Sequence, residues 1–374
     1  MNQADRISEL RRLGQSVWLD QIDRDMIRTG RLEQLRDSGV SGVTANPTIF
    51  AKALEGSDVY ASDIGRRLDR GMDAESILWD LLVEDVQAAA DIFRPTFDRE
   101  QGRDGFVSIE VSPEIAGDTD KTIAAARDLR RRVARPNVMV KIPATPSGLP
   151  AIEAMIAEGA NINVTLIFAV ERYVKVVEAY LAGLERLLES GGDVTRMQSV
   201  ASFFVSRVDT KVDERLEKKI AQADGSRKPQ LRKLLGKAAV ANSRLAYEMF
   251  SQLHAGPRWD RLRDAGASVQ RCLWASTSTK NPSYSDVMYV ENLIGPATVN
   301  TMPIPTLEAF TDHGRVALTL QQNVDGARRV LDDLAAGGID LAAITQELED
   351  EGVAGFAKSY RESIDHLGKV RTGR

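Results

Sequence analysis

Cysteine and histidine are both scarce in this sequence. Cys272 is the single cysteine among 374 residues, and the only histidines are His254, His313 and His366. A lone cysteine excludes an intrachain disulfide and a cysteine-rich metal site. The histidines are far apart, and no HExxH or CxxC spacing occurs. We therefore expect neither a zinc enzyme nor any other bound metal.

Glycine-rich phosphate loops and an excess of basic charge are also missing. No GxGxxG or GxxxxGK[ST] motif follows an apolar run, which argues against a dinucleotide enzyme and a P-loop NTPase. We therefore expect no organic cofactor. The net charge of -5 argues against nucleic-acid binding, which usually requires a basic face.

Long hydrophobic runs do not occur either. The longest are about the length of "VTLIFAV", whereas a membrane-spanning helix needs about 20 apolar residues. The first residues, "MNQADRISELRRLGQS", are polar and lack the apolar core of a signal peptide. We therefore expect a cytoplasmic protein that does not associate with membranes.

What the chain does contain is a series of short apolar runs that end in polar or turn residues. The composition, 43% hydrophobic and 28% charged, is that of a globular protein. The eight runs are "SVWLD" (16–20), "GVTANP" (42–47), "GFVSIEVSP" (105–113), "NVMVKIP" (137–143), "INVTLIF" (162–168), "SVASFFVSR" (199–207), "QRCLWAS" (270–276) and "ATVNTMP" (297–303). Each is typical of a buried β-strand.

Amphipathic helical patterns such as "DTDKTIAAARDLRRRVA" separate most of these runs. Alternating strands and helices indicate parallel βαβ units, and eight of them predict a (β/α)₈ barrel. The alternative is a doubly wound open sheet, which no glycine-rich loop supports. We expect one domain over residues 1–374, with additional helices at about 208–266, after strand 6, and at about 306–369, at the C-terminus.

One lysine stands in an otherwise apolar strand. Side chains alternate along a strand, so Met139 and Lys141 share one face, whereas Val138, Val140 and Ile142 share the other. The all-aliphatic face must pack on the helices, so Lys141 is predicted to point into the barrel.

The same alternation places polar side chains inside five further strands. They lie mostly towards the carboxyl ends, where barrel enzymes build their sites. The inward polar residues are Asp20, Thr44, Asn46, Ser108, Glu110, Asn163, Thr165 and Ser202. Phe204 shares the face of Ser202, and Arg207 and Lys280 follow strands 6 and 7. A set of this size facing one axis predicts a functional site.

Simpler interpretations exist for the same residues. Asp20 could be a cap or turn residue, and Thr44 with Asn46 could form a turn. Lys141 and Glu110 could form a structural ion pair. Ser202 and Thr165 fit strands without any function, and Arg207 and Lys280 could be surface charges.

A buried lysine can do covalent chemistry. Desolvation penalises an ammonium, and the neutral amine that it favours attacks carbonyl groups to form a Schiff base. The protonated imine is an electron sink, so a carbon–carbon bond one position away can break or form. Asp20 and Glu110 could move protons, and Arg207 with Lys280 could hold a charged tail.

These residues resemble those of transaldolases. "SVWLDQI", "GVTANPTIF", "SIEVSP", "VMVKIPATPSGLPAI", "NVTLIF", "SFFVSRVD" and "TVNTMP" are similar to that family's strand motifs, in order, over residues 16–303. "LWASTSTKNP" resembles the longer forms of the enzyme. The resemblance implies a class I aldolase-type barrel of the pentose phosphate pathway that needs no metal or cofactor. Its members move a dihydroxyacetone unit from sedoheptulose 7-phosphate to glyceraldehyde 3-phosphate, which gives erythrose 4-phosphate and fructose 6-phosphate.

The resemblance also implies a role for each matching residue. Lys141 would form the Schiff base, and Asp20 would be the acid/base at the C4 hydroxyl. Glu110 and Thr165 would hold the water that shuttles protons at the imine. The substrate would be bound by Asn46 and Asn163 with Thr44 nearby, by Ser202 and Arg207, and by Lys280, which replaces an arginine of the shorter relatives.

Two other functions fit the same scaffold. A fructose-6-phosphate aldolase is similar in fold and uses the same lysine chemistry. In those aldolases the position of Phe204 resembles a tyrosine and that of Glu110 a glutamine. Phe204 has no proton to give to an enamine, so it favours transfer over release. A catalytically silent sugar-phosphate-binding or assembly protein is the other alternative.

Overall fold

Eight parallel strands form a closed barrel in the computed structural model of the chain, in the order β1 to β8. The structure describes residues 3–45, 50, 54 and 58–372. The strands are β1 Gln15–Leu19, β2 Gly42–Thr44, β3 Val107–Glu110, β4 Val138–Pro143, β5 Ile162–Ile167, β6 Ser199–Phe204, β7 Arg271–Ala275 and β8 Thr298–Met302. The predicted (β/α)₈ barrel is confirmed, and the open-sheet alternative is wrong.

Helices surround the barrel because their apolar faces pack on the outward aliphatic side chains of the strands. In the described residues they are α1 Gln3–Arg12, α2 Arg24–Arg28, α3 Arg31–Asp37, α4 Ala61–Asp69, α5 Ala74–Arg99, α6 Thr119–Val133, α7 Gly148–Ala157, α8 Val170–Glu189, α9 Ser206–Gln222, α10 Arg227–Arg232, α11 Ala238–Leu253, α12 Pro257–Asp264, α13 Met288–Asn292, α14 Ile304–His313, α15 Val324–Ala336 and α16 Leu341–Thr372. Short 3₁₀ helices occupy Asp58–Tyr60, Pro113–Ile115 and Val194–Arg196.

Both regions with extra helices exceed what a minimal barrel needs. Helices α9 to α12 lie between β6 and β7, and α14 to α16 follow β8. The single-domain assignment stays a prediction. No helix within residues 3–45, 50, 54 and 58–372 combines the length and apolar character of a membrane span.

A turn separates two of the additional helices that were predicted at about 208–266. Gly236 has a φ of 66°, a left-handed conformation that glycine adopts without strain, and the chain turns there between α10 and α11. Two carboxylates of α9 hold the turn: Asp213 accepts a hydrogen bond from the Gly236 amide at 2.9 Å, and Asp209 accepts one from Ala239 at 2.7 Å. Hydrophobic periodicity continues across such a break, so the pattern alone did not reveal it.

A polar cluster fills the amino end of the barrel interior. The buried carboxylate of Asp104 accepts hydrogen bonds from Ser16 Oγ at 2.6 Å and from Trp18 Nε1 at 2.8 Å. Arg271 Nη1 donates to Ser16 Oγ at 2.9 Å. Trp18 is therefore a core residue, and the space for a ligand inside the barrel lies at the opposite, carboxyl end.

The packing of α7 against α8 generates a prediction about two helical glycines. A Cβ on Gly183 of α8 would lie 2.7 Å from Ile156 Cβ and 2.8 Å from the Glu153 carbonyl oxygen, whereas nothing lies within 4 Å of one on Gly355 of α16. We expect Gly183→Ala to lower the free energy of unfolding by about 1–3 kcal/mol through overpacking.

The control is Gly355→Ala, which should raise the same free energy by up to about 1 kcal/mol through helix propensity. Urea unfolding of both variants measures the difference. Equal effects of the two substitutions would contradict the close approach of α7 and α8.

Candidate active site

Three inward side chains stand in one row across adjacent strands. In the barrel register Glu110 of β3 pairs with Lys141 of β4, and Lys141 pairs with Asn163 of β5. Neighbouring strands lie about 4.8 Å apart, so side chains in register on the same face come into contact. The fold therefore brings a carboxylate, an amine and an amide together inside the barrel.

The centre of the row is an ion pair between Lys141 and Glu110. Lys141 Nζ lies 2.9 Å from Glu110 Oε2, and the two residues are 5% and 4% exposed. Nζ also donates to the Ala45 carbonyl oxygen at 3.4 Å. Burial raises the pKa of Glu110, and the charge of Lys141 opposes that rise. Such a pair contributes little to stability, because desolvation of both charges offsets their attraction.

Asp20 follows β1 at the same end of the barrel and is partly buried. Its Oδ1 atom is buried and has no hydrogen-bond partner among the described residues. Burial raises the pKa of Asp20 to about 6, against the opposing charges of Lys280 and Lys141. The carboxyl group is therefore mostly ionised at neutral pH and close to the range in which a general base works well.

A hydrogen-bonded chain of small polar side chains crosses the interior beside this row. Ser202 Oγ donates to Asn163 Oδ1 at 2.7 Å, and Asn163 Nδ2 donates to Ser108 Oγ at 3.0 Å. Asn163 thus links three strands through its amide. Thr165, two residues further along β5, is fully buried, and its Oγ1 has no hydrogen-bond partner among the described residues.

Arg207 lies in the first turn of α9, directly after β6, with its guanidinium carbon 5.4 Å from the centre of the Phe204 ring. No carboxylate of the described residues lies within ion-pair distance of it. Burial lowers the pKa of Arg207, and the more distant charge of Glu351 opposes this. A partly buried guanidinium at the start of a helix is suited to bind an anion.

Lys280 lies in the loop after β7 and is exposed, with Nζ 2.7 Å from Ser278 Oγ. This loop begins at Ser276, which has a φ of 56°. Ser276 Oγ lies 2.9 Å from Ser206 Oγ at the start of α9. The contact joins the loop that carries Lys280 to the helix that carries Arg207.

A cavity of about 290 Å³ opens at this end of the barrel, near the lower limit of small-molecule sites. Eight of the predicted site residues line it: Asp20, Thr44, Lys141, Thr165, Ser202, Phe204, Arg207 and Lys280. Glu110 and Asn163 do not line the cavity, but each contacts a residue that does: Glu110 contacts Lys141, and Asn163 accepts a hydrogen bond from Ser202. Asn46 lies outside the described residues.

Several groups at this site were not predicted from the sequence. Thr301 of β8 lines the cavity, and its Oγ1 lies 2.9 Å from Thr44 Oγ1. The alternation in "ATVNTMP" carries the signal that could have revealed it. The Ala45 carbonyl, which contacts Lys141, and Phe356 of α16, which lines the cavity, have no such signal.

This protein is a closed (β/α)₈ barrel in which a buried amine and a carboxylate are in contact at the carboxyl end. These features define a class of barrel proteins that is suited to carbonyl chemistry at a lysine. The sequence profile described as Transaldolase/Fructose-6-phosphate aldolase matches residues 17–367. The chain belongs to this family.

Several proteins named transaldolase are similar to this chain over nearly its whole length. One from Parafrankia sp. is 48% identical over 363 residues, which is 96% of both chains. One from Acidothermus cellulolyticus is 50% identical over 360 residues, 96% of this chain and 95% of the other. "Transaldolase 2" of a Nostoc species is 42% identical over 369 residues, 97% of each chain.

The raised pKa of Asp20 predicts a pH-dependent effect of Asp20→Asn on stability. The pKa is about 6 in the folded protein against an ordinary 3.8. Between these values the folded protein holds a proton that the unfolded chain has lost, so stability falls as the pH rises through this window. The full penalty, at most about 3 kcal/mol, is present above pH 6.

Because asparagine carries no charge, Asp20→Asn should be more stable than the original protein at pH 8. The gain should shrink to a small fraction of this at about pH 4, where the folded protein holds the proton and the unfolded chain is nearly half protonated. Thermal melting across this pH range measures it. A gain of the same size at pH 4 and pH 8 would show that burial does not perturb this carboxyl group.

Proposed function

We propose that this protein is a transaldolase, a transferase that moves a dihydroxyacetone unit between sugar phosphates. The donor is sedoheptulose 7-phosphate and the acceptor glyceraldehyde 3-phosphate, and the products are erythrose 4-phosphate and fructose 6-phosphate. Membership of the family and the names of its relatives favour this function. The observation that carries the proposal is the buried contact between Lys141 and Glu110 beside the cavity.

The proposed reaction begins at Lys141. The neutral amine attacks the donor's ketone carbon, and loss of water gives an iminium ion. Asp20 then takes the proton of the C4 hydroxyl, the bond between C3 and C4 breaks, and its electrons pass to the iminium to give an enamine. Glu110 and Thr165 hold the water that carries protons while the imine forms and breaks. General acid–base help of this kind typically contributes about 10²–10⁴-fold.

The second half reverses these steps with a new aldehyde. The enamine carbon forms a bond to the acceptor's carbonyl carbon, and Asp20 returns its proton to the new hydroxyl. Water then adds to the iminium carbon, the bond to Nζ breaks, and fructose 6-phosphate leaves. Asp20 therefore serves as base and acid in turn, which its pKa of about 6 suits.

The remaining residues of the site would bind the substrate. Polar side chains near the lysine would hold the hydroxyl groups, and cations at the mouth would hold the phosphate. The proposed hydroxyl-binding residues are Thr44, Asn46, Asn163 and Ser202. The proposed phosphate-binding residues are Arg207, which could bind in a bidentate manner, and Lys280, which would act as a point charge.

Release of free dihydroxyacetone, as in an aldolase, is the alternative for the same enamine. It requires a proton donor at the enamine carbon. Phe204, which lines the cavity, has none. This side chain supports transfer over release. The expected cytoplasmic location stays a prediction.

Borohydride trapping tests the covalent step. Fructose 6-phosphate with borohydride should inactivate the enzyme and add mass to the peptide that contains Lys141, because reduction fixes the imine. Lys141→Ala should abolish both the label and the activity. Labelling of another lysine would contradict the assignment, and absence of any label would favour a sugar-phosphate-binding protein without catalysis.

Turnover with and without an acceptor separates the two enzymatic functions. Fructose 6-phosphate alone should turn over slowly because the enamine waits for an aldehyde, and added erythrose 4-phosphate should restore fast turnover. Mass spectrometry of the products measures both rates. If dihydroxyacetone is liberated as fast as it is transferred, the protein is an aldolase.

Loss of the Arg207 guanidinium should weaken phosphate binding specifically. We expect Arg207→Ala to raise KM for fructose 6-phosphate by roughly 10- to 100-fold, the effect of losing a charged hydrogen bond. Arg207→Lys keeps the charge, so its KM for fructose 6-phosphate should lie between those of the original protein and of Arg207→Ala. Steady-state kinetics with unphosphorylated fructose as donor is the control, and an equal rise in its KM would place Arg207 outside the phosphate site.

A further inference from the structure

The long helix α16 lies against the carboxyl end of the barrel. A Cβ on Gly352 of α16 would lie 2.9 Å from Leu166 Cδ2, so the backbone of α16 closely approaches this side chain. Leu166 follows Thr165 in β5 and has a φ of 61°, at a point where the pairing of β5 with β6 shifts register. The irregular strand thus contacts α16 directly beside the cavity.

Polar contacts hold α16 on both sides of this point. On one side Arg172 of α8 pairs with the buried Glu349 at 3.1 Å, and on the other Trp79 Nε1 donates to Tyr360 Oη at 3.0 Å. Glu349, Gly352, Phe356 and Tyr360 follow one another at intervals of three, four and four residues, so they lie on one face of the helix. Phe356 belongs to the same series, so the face that contacts the barrel carries its ring towards the cavity.

Phe356 is the residue of α16 that lines the cavity. It is 5% exposed and lines the cavity with Lys141 and Phe204. Lys141 Nζ lies over the face of its ring, 5.7 Å from the centre. The face of a phenyl ring attracts a cation within about 6 Å. The ring therefore faces the nitrogen at which the proposed iminium and enamine form.

We infer that Phe356 is a specificity-determining residue that directs the enamine on Lys141 to an acceptor aldehyde and away from protonation by water. The inference rests on the proposed function. In transfer, the enamine carbon forms its new bond to the aldehyde carbon. In release, a water proton is transferred to the enamine carbon instead, the hydroxide adds to the iminium carbon, and the bond to Nζ breaks to free dihydroxyacetone and the amine.

A phenyl ring affects these two outcomes differently. It offers no proton to the enamine carbon, and it occupies space at the cavity wall that water would otherwise fill. Phe204, in ring contact with Phe168 at 5.1 Å between centres, contributes a second apolar surface. One of these aromatic residues comes from a barrel strand and the other from the C-terminal helix, so the apolar part of the site depends on both.

The test measures the ratio of dihydroxyacetone released to dihydroxyacetone transferred, with fructose 6-phosphate and erythrose 4-phosphate. Phe356→Ser opens the wall to water and should raise this ratio by about tenfold or more. Phe356→Leu keeps an apolar surface and should change it by less than about threefold. Lys358→Ser, on the exposed side of the same helix, is the control and should leave the ratio unchanged.

Borohydride labelling of Lys141 in each variant shows whether the imine still forms. If Phe356→Ser does not fold, Phe356→Tyr is used in its place. The tyrosine hydroxyl adds a proton donor to the same ring, so this variant should also raise the ratio of released to transferred dihydroxyacetone. An unchanged ratio in the folded variant, with Lys141 labelled, overturns the role of Phe356 alone. If Lys141 of the original protein is not labelled, the proposed function fails and this inference with it.

Discussion

A lysine and a glutamate in contact inside the barrel, at 5% and 4% exposure, are the constraint on which the rest of the structure depends. Each charge is expensive to bury, and their attraction does little more than offset that cost. The surroundings must therefore hold both groups largely away from bulk water. A closed barrel meets this requirement because strand register fixes Glu110 opposite Lys141, and no strand edge is left at which the pair could separate.

The other parts of the site follow from the same geometry. The strand interiors supply short polar groups that bond to one another, as in the link from Ser202 through Asn163 to Ser108. Longer side chains come from segments after the strands, where the barrel opens. Arg207 begins a helix and Lys280 lies in a loop, and both can reach an anion at the mouth. The site is thus built from strand residues in the interior and from helix and loop residues at the rim.

Helices beyond the minimal barrel contribute to this rim. Asp209 and Asp213 of α9 cap the turn at Gly236, and their second oxygens accept hydrogen bonds from Tyr289 at 3.0 Å and from Tyr284 at 2.6 Å. These two tyrosines lie within the segment between Lys280 and β8. Helix α16 adds Phe356 to the cavity wall. The additional helices therefore hold the segment that follows Lys280 and supply one residue of the cavity wall.

The strands and their inward residues could be derived from sequence because they depend on local alternation. Apolar runs ended by polar residues marked all eight strands, and parity assigned Lys141 and Glu110 to the interior, where they meet. The same local reasoning could not detect the turn at Gly236, because an amphipathic period continues across it. It could not assign Asn163 its hydrogen bonds with Ser202 and Ser108 either, because register between strands depends on the whole sheet.

Alternation and composition were thus sufficient for the barrel, its inward lysine and the end at which chemistry is possible, because each of these depends on residues that are neighbours in the chain. The contact of Phe356 with Lys141 was decided by tertiary structure alone, since 215 positions of sequence separate the two. Tertiary structure also decided the pKa of Asp20, which is about 6 because of desolvation and the nearby charges of Lys280 and Lys141. Burial and electrostatic interaction depend on distance in three dimensions, and no pattern within a single segment encodes that distance.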